Sequence, residues 1–131
     1  MTDARRLQFL RPTLALIGFI AIALWPLSKL WPAGLSWHDM GARSFYFEMI
    51  CAIYFVLGIF LFIASRNPLE HRSLIWFTVW SSVAHGGLML VQSFDDQPHH
   101  LAHLWGDVPL LLFGAALVAW LMPRNVANVR A

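Results

Sequence analysis

Apolar residues in this chain come in long blocks rather than in narrow stripes. Four blocks stand out: about Thr13 to Leu30, Ser44 to Ser65, Leu74 to Ser93 and Leu104 to Met122. Each is close to the ~20 residues that a helix needs to cross a ~30 Å hydrocarbon layer. The pattern predicts an all-α fold, an integral membrane bundle of four transmembrane helices. It leaves a single domain over residues 1–131 with no room for an aqueous one. The connections between the second and third blocks and between the third and fourth are short, which favours antiparallel neighbours.

Local signals mark where the blocks stop. Pro26, after Trp25, lacks a backbone donor and is expected to break or kink the first helix. The stretch from Leu27 to Arg43 carries Trp31, Pro32, Gly34, Trp37 and Gly41, a mixture suited to a short interfacial helix or loop. Asn67, Pro68 and Glu70 have the spacing of an N-cap, a first helical residue and a capping-box partner, so the third helix is expected to begin there. Within that helix Thr78, Ser81, Ser82, His85 and Gln92 recur at helical intervals, a polar stripe that should face other helices and not lipid. Gly114, Ala115 and Ala116 in the fourth helix are small enough to allow close helix approach.

Composition agrees with this picture. The chain is 59% hydrophobic and 12% charged, against ~25% charged in soluble domains. Its basic balance does not point to nucleic acid, because the Lys and Arg residues cluster at block ends. Arg5, Arg6, Arg11, Arg66, Arg72, Arg124 and Arg130 fall on one side; Lys29 and Arg43 fall on the other, where Asp95 and Asp96 also lie. The positive-inside rule then predicts that both termini are cytoplasmic. A basic lead before an apolar run also fits a signal peptide, but Trp, Pro and Lys follow in place of a small-residue cleavage site, so the first block is read as a retained span. Cys51, the lone cysteine, lies inside the second span and cannot form an intrachain disulfide.

Ionisable groups inside a span are costly and mark functional candidates. At ~1.5 Å per residue, Glu48 lies roughly 6 Å inside the outer end of span two, His85 about 10 Å below Gln92, and Asp107 within a turn of the outer end of span four. His103 and Asp107, four apart, share a face on a continuous helix. Three chemistries compete for this outer-half cluster. Glu48, His85, His103 and Asp107 are of the right types to bind a divalent metal between facing helices. His85 could ligate a haem or chlorin, with Ser81, Gln92 and the small Gly86-Gly87 around the ring. The same groups could instead form a pocket for a quinone, a lipid or a small polar molecule, or a proton path. Against all three stands plain interhelical hydrogen bonding, which stabilises by ~0.6 kcal/mol on average. Asp107 could also be an N-cap for a helix from Val108, or lie inside a helix that starts earlier and kinks near Pro109. Glu48 could reach headgroups or Arg43. His99 with His103 and Asp95-Asp96 could gather a transition metal at the surface, while His38 and His71 are most simply interfacial.

Two stretches, Arg66 to Gly87 and His103-Leu-Trp-Gly-Asp-Val-Pro109, resemble a group of small bacterial four-helix membrane proteins with no assigned function. The four-span layout is similar to that of DoxX-like proteins, a group associated with quinone-linked redox complexes. The resemblance implies a multi-pass protein of the bacterial inner membrane and carries over no catalytic residue. With no nucleophile–base pair and no phosphate loop, the expected role is a non-enzymatic accessory or structural subunit. Its partners would be the lipid bilayer and other membrane subunits or further copies of itself. The competing expectation is a ligand-, metal- or tetrapyrrole-binding membrane protein, quinone-linked redox chemistry included. A transporter is disfavoured by the lack of visible repeats and broken helix pairs.

Overall fold

The computed structural model describes residues 1–35, 44–95 and 101–124, and all regular structure among them is helical. Expectations about Trp37, His38, Gly41, Arg43, Asp96, His99 and Arg130 lie outside the described residues. Thr2 starts α1 (Asp3–Ile22) by accepting the Arg5 amide on its hydroxyl. The helix therefore begins well before the apolar block, in the turns that carry Arg5, Arg6 and Arg11. It stops at Ala23, where α2 (Leu24–Leu30) departs at 65°. The break falls just ahead of Trp25-Pro26 because Pro26 sits in the first turn of α2, where amides have no helical acceptor and a missing one costs little. Pro32 likewise heads the single turn α3 (Pro32–Leu35).

Ser44 caps α4 (Phe45–Arg66), its hydroxyl accepting the Phe47 amide at 3.2 Å. The next helix does not start at Asn67 as the capping-box spacing suggests. The Glu70 amide instead bonds the Asn67 carbonyl and the His71 amide that of Pro68, a tight turn, and α5 (Arg72–Asp95) starts with the Ile75 amide on the His71 carbonyl. Asn followed by Pro opens a β-turn as readily as a helix, so one signal served two outcomes. A 3₁₀ turn (Leu101–Trp105) and Gly106 then lead into α6 (Asp107–Leu121).

Three helical stretches are long and apolar enough to cross a membrane: Phe45–Arg66, Arg72–Phe94 and Leu101–Leu121. The bent pair of α1 and α2 makes a fourth if counted as one span. Helices pack as two pairs, α1 on α4 and α5 on α6, joined chiefly along α1 and α6; α4 and α5 barely touch. Glycines set the first pairing. A Cβ on Gly58 would stand 2.5 Å from the Gly18 carbonyl oxygen, and one on Gly18 2.8 Å from that of Gly58. Gly114, expected to play this part, has no atom near enough to meet a Cβ, although its neighbour Ala115 is buried. Backbone proximity thus occurs between α1 and α4, and Gly114 faces open space.

The bundle is shut at the end where α1 begins and α6 finishes. Leu10, Leu14, Leu61, Ile75, Val79, Val118 and Leu121 form the core there. Arg6 closes it: its guanidinium donates to the Trp120 carbonyl, lies 5.7 Å from the Trp120 ring centroid, and stands 3.8 Å from Asp3. Asp3 also accepts the Arg124 amide, and Arg72 reaches the Pro123 carbonyl. At the opposite end the pairs separate. There α3 crosses to the 3₁₀ turn, and Gly34 lies so close to Gly106 that a Cβ on Gly106 would be 2.1 Å from the Gly34 carbonyl oxygen.

Candidate functional site

Separation of the two helix pairs above the core leaves a cavity of about 890 Å³. Pockets for small organic ligands commonly span ~300–1,000 Å³, with mostly apolar walls and a few placed polar groups. This cavity fits that description. The apolar walls include Ile17, Ile20, Leu57, Leu61, Leu88, Leu111 and Val118, with Leu35 of α3 among them. Of the polar residues that line it, α5 supplies Thr78, Ser81, Ser82, His85 and Gln92. The stripe predicted from spacing alone is therefore the polar wall of the cavity.

Across from that wall, α4 contributes Tyr54, a residue that the sequence did not single out. Its hydroxyl lies 3.5 Å from His85 Nδ1, and the two rings meet edge to face with centroids 6.0 Å apart. A full O–H hydrogen bond has a donor–acceptor distance of ~2.8 Å, so this contact is long. Among the described residues each is the other's sole polar partner, and both are partly buried. The signal that could have found Tyr54 is its position, since a phenol in mid-span must find a polar partner when buried.

His103 and Asp107 are also brought together. His103 is 1% exposed and Asp107 8%, and His103 Nδ1 lies 3.0 Å from both carboxylate oxygens. Asp107 is the first residue of α6, behind Gly106, and its side chain engages His103 where an N-cap would bond the helix amides. Gly106 thus takes the cap position that one sequence reading gave to Asp107, and the chain ahead is helical only as a 3₁₀ turn. Asp107 reaches the cavity wall; His103 is not among the lining residues.

Glu48 is elsewhere. It lines a shallower recess of about 410 Å³ with Ile22, Trp25, Cys51, Ala52 and Phe55. Residues 48, 51, 52 and 55 share one face of α4, while 50, 54, 57 and 61 share the cavity face. Glu48 is therefore at a suitable depth but on the wrong side. Among the described residues no three His, Cys, Asp or Glu side chains gather closely enough to hold a metal. Of the groups expected around a tetrapyrrole, Ser81, His85 and Gln92 do line one cavity. Gly86 is packed against Leu111 and Leu112, whereas Gly87 has open space beside it.

The site can hold an apolar body and offer it hydrogen bonds at mid-depth. No curated protein and no solved structure matches the chain. The chain belongs to DUF6632, a family of unknown function, whose model matches residues 4–129.

Proposed function

We propose that this member of a family without assigned function is a non-enzymatic four-span protein of the bacterial inner membrane, with both termini cytoplasmic, that binds a small amphipathic molecule in its central cavity. One observation carries the reading: Tyr54 and His85 meet at 3.5 Å on the cavity lining with no other polar partner among the described residues. Polar groups left short of hydrogen bonds in a buried place each forfeit ~1–3 kcal/mol. A ligand that completes those bonds recovers that energy while filling apolar space.

The accessory-subunit reading is supported by composition and by apolar helices suited to packing against partners. The cavity gives ligand binding the more specific support. The test is purification in mild detergent followed by mass spectrometry of extracted small molecules, with Gly114→Leu alongside, because Gly114 lines the cavity with open space beside it. Wild type should retain an organic molecule that the filled variant loses. Identical small-molecule content in the two sinks the reading. A protein companion that copurifies equally with both would favour the accessory role, and an absorption band of haem or chlorin lost in His85→Ala would identify a tetrapyrrole.

A further inference from the structure

The polar atoms of the cavity also indicate what kind of head group it takes, an inference that rests on the cavity reading above. Thr78 donates its hydroxyl proton to the Leu74 carbonyl at 2.9 Å, and Ser81 donates to the Thr78 carbonyl at 3.2 Å. What these two can still offer a ligand is oxygen lone pairs. Tyr54 donating towards His85 Nδ1 would place the imidazole proton on Nε2, leaving a ring N–H donor and a phenolic acceptor. Ser82, also on the cavity wall, can donate or accept. Donors and acceptors thus occur together, as a group that both gives and takes hydrogen bonds requires.

Formal charge is scarce here. Among the described residues Asp107 is the carboxylate on the wall, already facing His103 at 3.0 Å, and no Lys or Arg lines the cavity. An anionic head would meet the Asp107 carboxylate, and no Lys or Arg of the described lining is placed to offset that repulsion. A cationic head would have to compete with His103 for that carboxylate. Burying an unpaired charge is far more costly than burying a hydroxyl that is hydrogen-bonded. The roof bears on the route. Among the described residues, α3 is seated on the 3₁₀ turn at Gly34 and Gly106 while α4 and α5 barely touch, so they cover the cavity better at its end than along its side.

We propose that the cavity takes an uncharged, bilayer-dissolved amphiphile whose head is a hydroxyl, held on the α5 stripe beside the Tyr54–His85 contact. The probes are three diazirine-bearing long-chain lipids of equal chain length, an alcohol, a carboxylic acid and an amine, each in phosphatidylcholine proteoliposomes of the full chain. The readout is photolabelling of the peptides that carry Leu57 and Ser82, counted only where excess unlabelled alcohol, acid or amine competes. The alcohol should label these sites roughly tenfold more than either charged probe, and Gly114→Leu should abolish that labelling. Ser82→Leu, which fills the same space from α5, provides a second variant should Gly114→Leu not fold. If the acid or the amine labels as strongly, and filling the cavity still abolishes it, the head-group assignment is overturned and cavity binding stands. If no probe gives competable labelling that either filled variant removes, cavity binding falls as well.

Discussion

His103 shows what a buried polar residue does here when it is fully partnered. It sits 3.0 Å from both oxygens of Asp107 in a nearly dry setting, whereas His85 has, among the described residues, only a long contact with Tyr54. Removing one member of a close buried pair takes from the other a hydrogen-bond partner that the interior does not replace. His103→Ala should therefore destabilise the bundle by on the order of 3 kcal/mol, read as a thermal shift in detergent. The double variant His103→Leu/Asp107→Leu should be more stable than His103→Ala, since neither polar group is left behind; a double variant less stable than the single one would count against the pairing. The sequence placed these two residues together because they are four apart on one stretch of chain. It could not do the same for Glu48, whose partner depends on how α4 is rotated, a long-range outcome set by Gly58 meeting Gly18.

Among the elements, α5 was the most legible, because a polar stripe in an apolar helix has one sensible direction to face. Thr78, Ser81, Ser82, His85 and Gln92 all ended on the cavity. Helix boundaries were less legible where one residue type serves two structures, as at Asn67-Pro68, or where a proline acts ahead of its own position, as at Pro26. Close packing was misplaced for a related reason: spacing identifies small residues, but not the helix that comes near them. The contrast supplies a test. Gly58→Ala puts a methyl group against the Gly18 carbonyl and should cost roughly 1–3 kcal/mol by overpacking. Gly114→Ala meets no neighbour and should be neutral or stabilising by about 0.5–1 kcal/mol through helix propensity. Equal melting temperatures for these two alanine variants would remove the glycine crossing as the feature that joins α1 to α4.

For the molecule as a whole, the distribution of basic residues and the tight end agree in direction. Arg6, Arg72 and Arg124 are engaged at the end that carries the core, where α1 begins and α6 finishes. In the orientation proposed above, which follows the positive-inside rule, that end is the cytoplasmic one. Fluorescent-protein fusions at either terminus should then be bright, and alkaline phosphatase fusions at the same points inactive. Active phosphatase at either terminus would reverse the orientation and place the cavity in the other leaflet. The clasp between Arg6 and the Trp120 carbonyl joins residues 114 positions apart, which has a consequence for biosynthesis. When the ribosome has made α1, α4 and α5, Arg6 still lacks the Trp120 carbonyl, and the floor under the cavity is incomplete. That end is closed only once the last helix is made, so on the membrane and ligand-binding reading proposed above a chain stalled before Trp120 should fail to retain the ligand.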